Sequence, residues 1–154
     1  PPPAALELAH RVAYDGADLA IGSRHTPDGE VAEAWPMKRR IISLGADYLA
    51  RAAVPPARGL TDPLSGLFAV DAAVVDPALD RLAPAGYKVL LELLARCPID
   101  DVVEVGYRFA PADSESNLGA REYARYLRHL GRLSIPSRRR TPLTERVGSG
   151  EVRG

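Results

Sequence analysis

Apolar residues recur at helical spacing in four stretches of the chain and form short compact or alternating runs in three others. Residues 4–14 (AALELAHRVAY) read as a short amphipathic helix, with Leu6, Ala9, Val12 and Ala13 on one face, Pro3 in the first turn and Gly16 as its end. Residues 18–22 (DLAIG) make a compact apolar run of buried-strand length. A polar loop, SRHTPDGEVAEAWP, follows and turns at Pro27-Asp28-Gly29. Met37, Ile41, Leu44, Gly45, Tyr48 and Ala52 then predict a helix over 37–53, stopped by Pro55-Pro56.

Residues 66–70 (GLFAV) read as a second strand, and 71–82 as partly helical with Pro77 as a break or a new start. Residues 87–96 (YKVLLELLAR) predict another helix. Over 101–109 (DVVEVGYRF), Val103, Val105, Tyr107 and Phe109 fall on one side of a predicted strand. The last helix is expected over 120–133, with Tyr123, Tyr126, Leu127, Leu130 and Leu133 as an apolar stripe and Arg121, Arg125, Arg128 and Arg132 as a basic one. Residues 134–154, rich in Arg, Ser, Gly and Pro, read as a disordered basic tail. Alternating strands and helices predict an α/β layered sheet, with residues 1–133 as the folded part. Three strands are few for a sheet with both faces covered, which suggests part of a larger domain, as does a start at Pro1-Pro2-Pro3.

The 154 residues are 46% hydrophobic, enough for a packed core, which excludes disorder throughout. No apolar run reaches the roughly 18 residues of a membrane span. A single cysteine, Cys97, excludes an internal disulfide and a cysteine-based zinc site. The net charge of zero hides an asymmetry. Residues 1–120 carry 11 Lys+Arg against 17 Asp+Glu, a balance of −6, while 121–154 carry nine Arg against three Glu, a balance of +6. Such a basic end suits a polyanion, a membrane surface or a nucleic acid; the plain alternative is a solvated helix with a basic tail.

His10, His25 and His129 are far apart with no partner at ligand spacing, so no metal site is expected in this chain. Nucleophile motifs of the GxSxG kind and the common phosphate-loop glycine motifs are absent, and no catalytic nucleophile or base is assigned. Three loop or helix features remain. Arg24 follows the first strand in a Gly22-Ser23-Arg24 turn, where a guanidinium can meet an anion. Arg39 and Ser43 lie one helical turn apart and can offer a charge and a hydroxyl to one phosphate. Asp62, Ser65 and Gly66 precede the second strand, where they suit the edge of a sugar or phosphate. Each alone also reads as an ordinary surface loop, a solvated helix face or an Asp-Pro turn.

In order, the strings GADLAIGSR, WPMKRRIIS, DPLSGLFAV, GYKVLLELLAR, VVEVGYRF and ESNL before an Arg/Tyr helix resemble the second half of a polyprenyl-phosphate hexosyltransferase. The type is the dolichol-phosphate mannosyltransferases of glycosyltransferase family two, and the resemblance covers about residues 1–133. It implies part of a Rossmann-like GT-A fold without the nucleotide-binding half. It also implies transfer of a hexose, usually mannose from GDP-mannose, to a dolichol or polyprenyl phosphate at the cytoplasmic face of a membrane. Mg²⁺ or Mn²⁺ is the implied cofactor, held by an Asp-x-Asp motif that is not in this chain. By the family pattern Arg24, Arg39 and Ser43 grip the lipid phosphate, and Asp62, Ser65 and Gly66 line the sugar pocket. The basic helix over 120–133 then faces the membrane, and no nucleic acid partner is implied.

The family's late loop, Arg-x-x-Gly-Glu-Ser-Lys-Leu, is altered here. Residues 111–118 read PADSESNL, so Asn117 stands where Lys is expected and the Arg is missing, with Arg108 nearby in the strand. The 154-residue chain by itself is therefore expected to be inactive. The reading from another class is a non-catalytic remnant or interaction module that binds anionic lipid or nucleic acid through its basic C-terminus.

Overall fold

A computed structural model describes residues 2–31, 37–83, 88–109 and 120–134. The expected loop at 111–118 and the tail from 135 onward lie outside these residues. In chain order the elements are α1 (Pro2–Ala13), β1 (Leu19–Ser23), β2 (Glu30–Val31), α2 (Met37–Ala53), β3 (Phe68–Val70), α3 (Ala72–Val75), α4 (Val89–Arg96), β4 (Val102–Gly106), β5 (Arg108–Phe109) and α5 (Ala120–Leu133). Short 3₁₀ turns occupy Pro55–Gly59 and Asp76–Arg81.

The main sheet is mixed, in the order β3-β1-β4, with β1 antiparallel to β3 and parallel to β4. Leu19 sits opposite Val70 and Val102, and Ile21 opposite Phe68 and Glu104. A second, two-stranded sheet pairs β2 parallel with β5. The central strand is buried on both faces, as its apolar run requires. Leu19 and Ile21 point to one face, where Ala50, Val54, Leu90, Leu91, Leu94, Tyr126, Leu130 and Leu133 pack from α2, α4 and α5. Ala20 points to the other, against Leu8 and Val12 of α1 and Val103 and Val105 of β4. The layering is α/β, helix over sheet over helix, compatible with part of a glycosyltransferase domain.

The bounds of α2 and α5 match the helical spacing residue for residue. Four details differ. The buried anchor of α1 is Leu8, while Leu6 is 73% exposed, because the sheet meets the stripe one residue pair away from the one read in the sequence. The strand over 101–109 breaks at Tyr107, after its N–H makes the last bond of the β1–β4 ladder, to the Ser23 carbonyl at 3.0 Å. The polar loop after β1 contains β2, paired with β5. In α5, Leu127 is exposed and His129 takes the buried place beside Leu130.

The largest difference is on α2. Met37, Ile41, Leu44 and Tyr48, the residues that predicted the helix, are 63–73% exposed. The face that packs on the core is instead Ala46, Asp47, Ala50, Ala53 and Val54. Small side chains let the helix approach α5 and the sheet closely, so the larger residues are left outside.

Candidate functional site

The end of β1, the loop at 61–67, the middle of α2 and the start of α4 converge on one polar region. The turn after β1 is set by close packing. A Cβ on Gly29 would lie 2.6 Å from the Ser23 carbonyl oxygen, and one on Gly106 would lie 2.7 Å from the Asp28 carbonyl carbon. Only glycines let the 26–29 turn rest on β4 and fold back over the strand end. Arg24 is thereby presented beside the loop that precedes β3.

There it meets Asp62, which is fully buried. Arg24 Nε donates to Asp62 Oδ2 and Arg24 Nη2 to Oδ1, both at 2.7 Å, and the Arg24 backbone N–H also donates to Oδ2 at 3.2 Å. Burial pulls the Arg24 pKa down, but the hydrogen bond and charge of Asp62 outweigh it and hold the guanidinium charged. Such a fork-to-fork pair fixes the plane of the guanidinium as well as its position.

The 61–67 loop is fixed in turn by its own polar groups. Glu104 of β4 accepts from the backbone N–H of Thr61 at 2.9–3.0 Å, from the Thr61 hydroxyl at 2.9 Å and from the backbone N–H of Asp62 at 3.1 Å. Thr61 Oγ1 and Ser23 Oγ are 2.6 Å apart. Ser65 is buried, its hydroxyl donating to the Gly22 carbonyl at 2.5 Å and accepting from the Leu67 N–H at 3.2 Å. Gly66 is exposed, and a Cβ there would meet open space, so no close approach within the protein requires a glycine at 66.

Ser43 is half-buried on α2. Arg39 lies one turn before it on the same helix, and its side chain is outside the described residues. One turn beyond Ser43 is Asp47, a residue that sequence reasoning passed over although its spacing continues that of 39 and 43. Asp47 is 4% exposed, and among the described residues its Oδ1 has no hydrogen-bond partner. Burial pushes its carboxyl pKa up and Asp62 adds to this, while Arg51, His25 and Arg24 pull the other way. Lys88, at the start of α4, completes the group. Its Nζ lies 5.4 Å from the centre of the Tyr126 ring, within cation–π range. Burial and the nearby Arg24 push its pKa down, and Asp47 and Asp62 partly restore it. Two cations and two carboxylates thus share a partly buried region, where charge interactions are stronger than in water.

The region carries guanidinium, ammonium and hydroxyl groups, and none of its described residues resembles a nucleophile paired with a base. Among the described residues no three His, Cys, Asp or Glu side chains group to hold a metal ion. Asp62 is committed to Arg24, and Glu104 to the Thr61–Asp62 backbone. The described residues therefore do not fit the divalent ion that the resemblance implies.

No family model matches the chain. Relatives do. The dolichol-phosphate mannosyltransferase of Pyrococcus furiosus is 40% identical over 133 residues, covering 86% of this chain and 37% of that protein. Its namesake in Saccharomyces cerevisiae is 30% identical over 141 residues, 87% of this chain and 51% of that protein. That of Mycosarcoma maydis is 31% identical over 115 residues, 73% of this chain and 38% of that protein. The chain spans 37–51% of the length of these relatives. Matches of 30–40% identity that cover 73–87% of the chain, in an α/β layering with an arginine-bearing strand end, place it in glycosyltransferase family two, alongside the dolichol-phosphate mannosyltransferases.

Proposed function

We propose that this chain supplies the lipid-phosphate side of a GT-A glycosyltransferase that moves a hexose, mannose from GDP-mannose, onto a dolichol or other polyprenyl phosphate. The observation that carries this is the pairing of Arg24 with buried Asp62 at the C-terminal end of the central strand. In α/β sheets ligands gather at that end. The acceptor is a phosphate monoester, anionic at neutral pH, and its oxygen needs no strong base before attack. Its bond to the anomeric carbon forms as the bond from that carbon to the nucleoside diphosphate breaks. The task left to the protein is to hold two anionic groups together, which fixed cations do at little reorganisation cost.

In this reading Arg24, Arg39 and Ser43 hold the acceptor phosphate, and the loop with Asp62, Ser65 and Gly66 borders the sugar. The Mg²⁺ or Mn²⁺ of the whole enzyme takes ligands from outside this chain. The lipid reaches the site from the cytoplasmic face of a membrane. Two features support a membrane-facing surface: the exposed apolar row Met37, Ile41, Leu44 and Tyr48 on α2, and exposed Arg121, Arg125 and Arg128 on α5, which packs against α2. Each such arginine adds about 1 kcal/mol near an anionic surface. Among the described residues no helix is long and apolar enough to cross a membrane.

The test is binding of a short polyprenyl monophosphate in detergent, with the matching prenol as control. The wild-type chain is expected to prefer the phosphate, and Arg24→Ala to lose that preference. Equal binding of phosphate and prenol would overturn the reading. With GDP-mannose, Mg²⁺ or Mn²⁺ and the lipid phosphate, the chain alone is expected to give no turnover.

A further inference from the structure

Glu104 has no place in the reading above, yet it is the point where the polar groups around Arg24 end. It stands on β4 opposite Ile21, half-buried, with its carboxylate toward the 61–62 backbone. The Thr61 hydroxyl donates to Glu104, which leaves Thr61 Oγ1 as the acceptor for the Ser23 hydroxyl at 2.6 Å. Ser23 Oγ in turn accepts from the His25 backbone N–H at 3.1 Å. A directed chain thus runs from the His25 N–H through Ser23 and Thr61 to Glu104. A second branch runs from Glu104 to the Asp62 N–H, and from the Asp62 side chain to the guanidinium. The first branch holds Ser23 and His25, the residues on either side of Arg24, and the second holds Arg24 itself.

We propose that Glu104 is a positioning residue for Arg24, acting through Thr61 and Asp62, and so sets how well the site grips the phosphate of its lipid acceptor. The inference rests on the phosphate-binding role given to Arg24 above. The chemistry requires a carboxylate at 104. Among the described residues its hydrogen-bond partners are all donors, two backbone N–H groups and a hydroxyl, and an ionised carboxylate is an acceptor only. An amide of the same shape would turn an NH₂ toward one or more of them. The Thr61–Asp62 backbone then shifts, and the Asp62 side chain shifts with it. A strand carboxylate that merely stabilised the sheet would change the melting temperature, not the surroundings of a guanidinium in the turn after β1.

The experiment uses the full chain. Nitrogen-15 NMR reads the Arg24 Nε–H resonance, assigned by its loss in Arg24→Ala, and titration with a short polyprenyl monophosphate reads affinity against the matching prenol. Glu104→Gln is expected to move or broaden the Arg24 Nε–H resonance and to weaken phosphate binding about tenfold, the loss typical of a hydrogen bond to a charged group. Prenol binding should stay unchanged. Thr61→Val keeps both backbone bonds and removes only the hydroxyl link; it should move the resonance in the same sense, and it replaces Glu104→Gln if that variant fails to fold. An Arg24 Nε–H resonance at its wild-type position in the folded variant overturns the inference. If the resonance moves but Arg24→Ala binds the phosphate as well as wild type does, the positioning stands and the acceptor role of Arg24 fails. If Arg24→Ala weakens binding while Glu104→Gln changes neither readout, the acceptor role stands and the inference falls.

Discussion

Arg24 and Asp62 form a two-point ion pair across 38 residues of sequence, with both N–O distances at 2.7 Å and the carboxylate fully buried. The pair is more than a fold contact, because the same carboxylate also takes the Arg24 backbone N–H and so fixes the strand end and its side chain together. Removing one partner leaves a buried charge uncompensated. Asp62→Asn is therefore expected to cost about 3 kcal/mol of stability, and Arg24→Ala a similar amount. The double variant should recover part of the loss. Urea unfolding of the four proteins in a double-mutant cycle measures it; additive losses would show that the two residues act independently.

The contact between α5 and α2 turns on Tyr126, whose hydroxyl donates to the Ala46 carbonyl at 2.6 Å. Burial pushes the Tyr126 pKa well above the ordinary tyrosine range, so the hydroxyl keeps its proton at any working pH. Ala46 lies in mid-helix, where the carbonyl already serves the helix ladder, so losing the hydroxyl strands no acceptor. Tyr126→Phe should cost about 1 kcal/mol. The urea midpoint is expected to fall with the slope of the transition unchanged.

The exposed row on α2 gives a prediction of opposite kind, a loss of binding without a loss of stability. Ile41 and Leu44 are 63% and 64% exposed. Ile41→Glu together with Leu44→Glu removes two apolar side chains that a bilayer would bury. Partition to vesicles with anionic lipid should fall about tenfold or more, while the melting temperature stays within a degree or two. Unchanged partition in a flotation assay would move the membrane contact elsewhere on the chain.

Where the sequence was legible, one strong local signal was enough. Helical spacing with Pro55-Pro56 behind it marks α2, and the Tyr/Leu stripe marks α5. The motifs mark both Arg24 and Asp62 as site residues, but in two separate pockets. Their contact depends on the antiparallel pairing of β3 with β1, which brings the 61–67 loop to the end of β1 and leaves no trace in either segment. Glu104 was hidden for the same reason, since its partners lie 42 and 43 residues earlier. On α2 the spacing gave the helix and the wrong face. Hydropathy favours large side chains, while the core selected the small ones around Ala50 that allow close approach. Asp47 could have been found by extending the spacing of Arg39 and Ser43 by one more turn.

The buried charges joining α4 to α5 make the docking of the last helix sensitive to acid. Glu92 is 1% exposed, and Arg132 Nη2 donates to it at 2.9 Å and also to the Ala83 carbonyl. His129 is 3% exposed, with Nε2 at 3.5 Å from Glu92 Oε2 and Arg96 on the other carboxylate oxygen at 3.7 Å. Burial pushes the His129 pKa below its ordinary value of 6.5; Glu92 opposes this, and Arg132 and Arg96 add to it. In the unfolded chain the imidazole takes its proton first as pH falls, so the unfolded state binds more protons and gains. The stability tied to a neutral His129 is fully present above about pH 6.5 and is lost as pH falls from there toward the lower folded value. Asp47 runs the other way: its carboxyl pKa is raised by burial, so the fold gains as pH falls through the raised value down to the ordinary 3.8. Urea midpoints taken between pH 8 and pH 5 should decline for the wild-type chain, and His129→Gln should flatten that decline. A wild-type profile that rises toward pH 5, or a glutamine variant with an equally steep slope, would mean that another group controls the docking of α5.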